Sequence, residues 1–276
     1  MRSRAIRDLS QLSDRDFFPA VAQGLSAIFE NVARIADALA ILNKYDDFRG
    51  ARILELVAKE EAAKYLILLD AVRCPRKPGD RFTAQLEKFN DHLAKGLYAE
   101  ACNWRPKTFR ELKELIEGEC HEYYLDGPND VDWIFENRTL RRREEAFYVD
   151  YVDYDGEHDW LSPKRYEDVS VPRIVHPPAA IIGLIDDLSS AGFSEPSSLE
   201  LFARLWRPVS MTDATGFAEV RDLIRRTLQE LHANGEAVSH RIAERWPFPL
   251  YDLQMRLTSV KKSQLKEVQS KWYPEL

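Results

Sequence analysis

The chain holds only three cysteines in 276 residues, Cys74, Cys102 and Cys120, and no two of them form a CxxC pair. That spacing excludes a zinc ribbon or a thioredoxin-type motif and fits a reducing compartment, so all three are expected to act as small structural hydrophobes. No window approaches the ~18 uninterrupted apolar residues of a spanning helix, and no membrane partner is expected. The N-terminal MRSRAIRDLSQLSDRDFF is cationic but lacks the apolar run of a signal peptide, so a cytoplasmic protein is expected. Positive charge is also short: 39 Lys and Arg stand against 46 Asp and Glu, a net charge of −7. Such a balance argues against non-specific clinging to nucleic acid or anionic lipid while leaving room for a local basic cleft.

Motifs are scarce as well. GxxxxGK[ST], GxGxxG, GxSxG and HExxH are all missing, so nucleotide-triphosphate motors, dinucleotide enzymes, serine hydrolases and zincins lose their usual support. The fragment DYDGEHD resembles a calcium loop, but Tyr151 would take its first ligand position and Ser162 its twelfth, which rejects an EF-hand. His121 and His158 lie in acidic surroundings and read as surface residues. Neither a metal nor a cofactor is expected.

What the sequence does hold is helical periodicity. Hydrophobic residues make up 45% and aromatics 11%, ordinary for a folded protein that buries a core. From Phe17 to about Leu125, apolar residues recur at three and four spacing, broken at NKYDDFRG, CPRKPGD and NWRPK. The spacing predicts helices near 18–43, 48–72, 80–101 and 107–125, joined by loops short enough for an antiparallel bundle. In 141–163 the period changes: Phe147, Val149 and Tyr151 alternate with Tyr148, Asp150 and Val152, and Asp155-Gly156 is a favoured turn, so a small β-hairpin is expected. After a break at Pro172, Pro177 and Pro178, helices are predicted near 178–191, 197–205, 213–233 and 249–270. The expected fold is mainly α. Residues 17–170 form a helical bundle with a hairpin insertion, and 171–276 a C-terminal helical region of unassigned role.

Some charged residues fall where apolar ones belong. On a wheel turning about 100° per residue, Glu60, Glu61 and Lys64 share the face of Ile53, Val57, Leu68 and Ala71, whereas Arg52 and Lys59 point away. Charges on such a face are costly unless paired. Two readings stand side by side: a satisfied pair of Glu60 with Lys64 in the favourable four-residue order, or a polar cleft that holds a ligand. In 80–101 the apolar arc of Phe82, Leu86, Phe89, Leu93 and Leu97 is flanked by Arg81, Lys88, His92 and Lys95. That stripe reads either as a solvated helix face or as a local positive surface with one proton-transfer group. In 213–233, Arg221, Arg225 and His232 fall close together while Arg226 points away. An arginine to hold phosphate and a histidine as general acid or base would suit phosphodiester cleavage, so Arg225 and His232 form a rival site.

Three pieces taken in order resemble the AbiV family of bacterial abortive-infection proteins, whose core is related to HEPN helical domains. They are the A-x-E-E-x-x-K helix of Ala58, Glu60, Glu61 and Lys64; the later H-x-x-K of His92 and Lys95; and the arginine-led REEAFYVDYVDYDGEHDWLSP, 143–163. The likeness covers roughly residues 20 to 165. It implies a HEPN-like bundle in an anti-phage effector that halts growth or translation of the infected cell, with RNA or the ribosome as target and a phage protein as trigger. HEPN relatives are commonly metal-independent RNases that work as homodimers with an R-x4–6-H motif at the shared cleft. The bundle departs from that motif, whose only match here is Arg225 or Arg226 with His232. The site expected within the bundle is therefore Glu60, Lys64, His92 and Lys95, with Glu61, Lys88, Arg143 and Tyr148 as binding residues. In the enzymatic version Lys64, Lys95 and Arg143 bind phosphate and His92 activates the ribose 2′-hydroxyl. The alternative is a non-catalytic protein that binds a phage or ribosomal partner.

Overall fold

The computed structural model of the chain describes residues 5–76, 81–121, 123–124, 135–154, 157–163, 179–231, 235–246 and 248–258. It is mainly helical. A 3₁₀ turn, Ala5–Gln11, leads into two long antiparallel helices, α1 (Asp14–Lys44) and α2 (Phe48–Arg73). The turn between them is short because Asp46 adopts a left-handed φ of 59° and the Asp47 carboxylate caps α2 by accepting from Gly50 N at 2.8 Å. Every residue of α2 from Tyr65 to Arg73 is buried, so α2 is the central post of the molecule. α1 differs: its last buried residue is Val32, and its C-terminal third stands beyond the core.

The expected helix over 80–101 is three pieces: α3 (Arg81–Glu87), a 3₁₀ turn (Lys88–Asn90) and α4 (His92–Ala101). The break comes from Asp91, whose side chain accepts from Ala94 N at 2.8 Å and so caps a fresh helix in mid-sequence. α5 (Phe109–Glu119) begins at Thr108, which caps it through Glu111 N at 3.3 Å. A two-residue pair, β1 (Tyr123–Tyr124) with β2 (Phe135–Glu136), then precedes a helix that periodicity did not indicate, α6 (Arg138–Phe147). Its cap, Asn137, accepts from Thr139 N and Leu140 N at 3.1 Å and donates through Nδ2 to Glu119 O at 2.6 Å. One buried side chain thus starts α6 and ties it to the end of α5.

The hairpin is present but shorter than expected. β3 (Asp150–Tyr154) pairs antiparallel with β4 (Glu157–Leu161), Tyr151 opposite Trp160, while Phe147 ends α6 rather than opening a strand. The turn residues Asp155-Gly156 and the proline-rich break at 172–178 lie outside the described residues. Four helices follow: α7 (Ala180–Ser190), α8 (Pro196–Trp206), α9 (Phe217–Glu230) and α10 (Glu236–Arg245). α10 replaces the helix expected at 249–270. The described part of that range is not helical, and the backbone groups of Leu250 are taken by side chains of the bundle instead of by a helical turn.

Residues 248–258 instead run back over the bundle as a strap. Leu250 N donates to Asp70 at 2.8 Å, Lys88 Nζ donates to Leu250 O at 2.7 Å, and Thr258 N donates to Cys120 O at 2.9 Å. One hydrophobic core takes in residues from both sides of position 170, from Phe17 in α1 to Met255 in the strap. Cys74, Cys102 and Cys120 are free and buried within it. Among the described residues, no helix is long and apolar enough to cross a membrane.

Candidate functional site

Glu60 lies on the middle turns of α2, where the helix passes from half-exposed to fully buried. Its carboxylate gathers nitrogen groups from two other helices. His92 Nδ1 lies 2.8 Å from Oε2, Lys95 Nζ donates to the same oxygen at 2.8 Å, and Arg143 Nε stands 3.1 Å from Oε1 as an ion pair. The three side chains arrive by local features already named. The Asp91 cap makes His92 the first residue of α4 and puts Lys95 one turn later on the same side. The Asn137 cap starts α6 so that Arg143 reaches α2.

Close packing of α4 on α6 completes the arrangement. Gly96 faces Thr139, and a Cβ at Gly96 would fall 2.2 Å from Thr139 Cγ2. The absent side chain is what lets the two helices approach.

The chemistry of the partners orients the Nδ1 of His92. An ionised carboxylate only accepts and an ammonium only donates, so Nδ1 carries the hydrogen toward Glu60, and the 3.3 Å approach of Lys95 Nζ to Nδ1 is a close contact. Nε2 points away from that contact, and the ring is 46% exposed. Lys95, at 7% exposed, is the buried member. Burial of Glu60 pushes its pKa up, but the hydrogen bond and charge of Lys95, with His92 adding to them, outweigh that and hold it below the ordinary value. Glu60 is therefore a negative charge at neutral pH, held between Lys95 and Arg143.

The other expected site residues are placed as follows. Lys64 pairs with Glu61 at 2.6 Å and lies 5.3 Å from the Phe89 ring; the pair expected between Glu60 and Lys64 is not the one formed. The four-residue order favours a pair only in isolation, and here Lys95 and His92 already occupy Glu60. Arg143 also donates to Glu144 at 2.9 Å and packs 5.0 Å from the Phe147 ring. Tyr148 is exposed just past α6, its ring 6.0 Å from Phe147.

Lys88 does not join this group. The break at Asp91 resets the helical phase, so Lys88 turns inward to Leu250 O, and burial pushes its ammonium down to about 8 against the opposing charge of Asp70. At the rival site, Arg225 sits on the surface 3.2 Å from Asp222, and Arg221 pairs with Glu244 of α10 at 2.8 Å. His232 lies outside the described residues.

A second polar cluster, unforeseen, lies wholly inside the core. Asp70 Oδ1 accepts from Arg73 Nε at 2.6 Å, and Oδ2 accepts from Tyr98 Oη at 2.6 Å and from Leu250 N. Gln85 Nε2 donates to Tyr98 Oη and to Ile67 O, both at 2.9 Å. The Arg73 guanidinium lies 4.7 Å from the Trp206 ring and 5.2 Å from the Trp246 ring. Asp70 and Arg73 are each 1% exposed, which suits a structural tie and denies access to a substrate. The sequence carries a hint of it in LILLDAVRC, where two opposite charges three apart interrupt an apolar run.

Among the described residues, no group of three or more His, Cys, Asp or Glu side chains could hold a metal ion. Among the described residues, the cluster of Glu60, His92, Lys95 and Arg143, contributed by α2, α4 and α6, combines a solvent-exposed imidazole with two cationic side chains. No protein family, curated protein or solved structure matches the chain.

Proposed function

We propose that the chain is an abortive-infection effector that arrests growth or translation by cleaving RNA without a metal, with Glu60, His92, Lys95 and Arg143 as the active centre. The observation that supports this is the convergence of His92, Lys95 and Arg143 on one carboxylate, with the outer face of the imidazole open to solvent. Glu60 holds the Nδ1–H tautomer, and His92 Nε2 takes the proton of a ribose 2′-hydroxyl. The alkoxide attacks the adjacent phosphorus, the bond to the 5′ oxygen breaks, and that oxygen takes its proton from solvent. Arg143, with Lys95 behind it, neutralises the phosphate charge that develops. Lys64 is engaged by Glu61 and takes no part.

A homodimer is the proposed assembly, and its proposed contact is the protruding end of α1 and α2. Ile41, Tyr45, Phe48 and Val57 are exposed there, three residues short of Glu60. Residues 34–57 carry Arg34, Lys44, Arg49 and Arg52 against Asp37, Asp46, Asp47 and Glu55, four of each sign, so two such ends meet without the repulsion that a net charge of −7 would otherwise bring.

A second reading has its own support. Lys95, Arg143 and His92 all engage the Glu60 carboxylate, which is what an interhelical clamp in a non-catalytic protein that binds a phage or ribosomal partner would need. One comparison separates the two. The wild type and His92→Ala are incubated with total RNA or tRNA in EDTA, and growth arrest on expression is scored for both. Loss of the base is expected to slow cleavage by about 10²–10⁴-fold and to abolish the arrest. Arrest retained by His92→Ala, with no cleavage by either protein, refutes the nuclease and leaves the binding reading.

A further inference from the structure

The thirteen residues 148–160, YVDYVDYDGEHDW, contain five acidic residues, Asp150, Asp153, Asp155, Glu157 and Asp159, and no lysine or arginine. They also hold the most exposed large apolar side chains on this side of α6: Val149 is 52% exposed, Tyr151 59% and Trp160 65%. Strand alternation explains the grouping. Tyr151 is in register with Trp160, and position 149 shares that face by the two-residue period. The Tyr151 and Trp160 rings are 5.0 Å apart, and the His158 ring stacks 5.7 Å from Tyr151. None of these residues belongs to the hydrophobic core. The hairpin thus holds an aromatic face that folding does not use, while the exposed Asp150, Glu157 and Asp159 stand on the opposite face of the same narrow ribbon and make it acidic.

We infer that the β3–β4 hairpin is a docking arm for a lysine- and arginine-rich polypeptide segment. Aromatic faces attract cations through the negative charge above the ring, and neighbouring carboxylates add direct attraction and set the sign of the partner. The same charge repels phosphates and repels the hairpin of a second copy, so neither nucleic acid nor self-pairing is the occupant this surface suits. The molecule already makes such contacts internally, with Arg143 5.0 Å from Phe147 and Arg73 4.7 Å from Trp206. An extended basic segment could also pair along the outer edge of the two-stranded ribbon, with alternate side chains reaching Tyr151 and Trp160. The inference stands apart from the cleavage chemistry, since no hairpin residue contacts Glu60 or His92 in the geometry described.

Fluorescence anisotropy of a labelled decapeptide of alternating lysine and arginine, titrated with the full-length protein at low salt, tests it. The peptide is expected to bind the wild type, and the Tyr151→Ala, Trp160→Ala pair is expected to weaken binding by about tenfold or more. Asp150→Asn with Glu157→Gln and Asp159→Asn is expected to do the same. Removing three exposed charges elsewhere, through Glu30→Gln, Glu195→Gln and Glu200→Gln, is expected to leave the affinity within about twofold, as separate surface charges act locally at a Debye length of ~10 Å. The inference is overturned if the wild type does not bind, or if the hairpin variants bind as the wild type does. It is equally overturned if a labelled single-stranded RNA decamer binds the wild type and loses binding in the Tyr151, Trp160 variant, which would make the face a base-stacking platform.

Discussion

The Asp70–Arg73 pair offers the most quantitative test of how this chain is held together. Both side chains are 1% exposed, and the carboxylate is shared among Arg73, Tyr98 and Leu250 N. Asp70→Asn keeps the volume but removes the charge and puts an amide NH2 where an oxygen accepted from Arg73 or from Leu250 N, groups that only donate. It leaves the Arg73 cation in the core with its counter-charge gone. Breaking a buried pair in this way costs about 3–5 kcal/mol, where a surface pair would cost under about 1 kcal/mol. For a chain of this size each kcal/mol moves the melting temperature by roughly 2–4 °C, so a fall of about 10 °C is expected in thermal melts followed by circular dichroism.

Arg73→Met should cost a similar amount, for it strands the carboxylate and empties the slot beside Trp206 and Trp246. The double variant carries no unpaired charge and should be more stable than the sum of the single losses by about 2 kcal/mol or more. Hydrogen exchange at the Leu250 amide should quicken in Asp70→Asn, since its acceptor is weakened and the strap is thereby loosened from α2. Single losses below about 1 kcal/mol, or strict additivity in the double variant, would refute the account of Asp70 as the tie between bundle and strap.

Two further outcomes follow from the Glu60 cluster. Because the pKa of Glu60 in the folded state lies below its ordinary value of 4.5, its stabilising contribution is fully present above that value and is lost as pH falls through the folded pKa. Glu60→Gln should therefore lower stability at pH 7, by about 1–3 kcal/mol for the cations left without their acceptor, and the gap to the wild type should close in acid. A gap that stays constant from pH 7 to pH 3 in urea titrations would contradict the assignment. Gly96→Ala should destabilise by about 1–3 kcal/mol through overpacking against Thr139, despite the better helix propensity of alanine. Adding Thr139→Ser, which deletes the clashing methyl, should restore stability, and a Gly96→Ala variant more stable than wild type beside an intact Thr139 would show that α4 and α6 do not depend on that close approach.

Periodicity made α1 and α2 legible to within a few residues, because long amphipathic helices carry many repeats of one signal. It failed where a single side chain decides. Asp91 restarts a helix by capping Ala94, and that small event turns Lys88 away from His92 and Lys95, with which a continuous wheel had grouped it. Asn137 starts α6 in a stretch that alternation alone reads as strand, and its effect depends on Glu119 O, eighteen residues earlier. The hairpin survived because Asp155-Gly156 and the alternation around it are local signals.

The two charged clusters show the limit of the same signal most plainly. Glu60 with Lys64 and Asp70 with Arg73 look alike in sequence: opposite charges three or four apart inside one apolar helix. Their fates differ because of partners far along the chain. Glu60 meets His92, 46% exposed, and Lys95 and Arg143 at the rim of the bundle. Asp70, ten residues further along α2, meets Tyr98 and Leu250 of the strap, while its partner Arg73 packs against Trp206 and Trp246. A charge on the buried face of a helix therefore says that a partner exists. Whether the pair is a site or a tie is decided by what covers it, and here the covering residues are those that come 180 positions later.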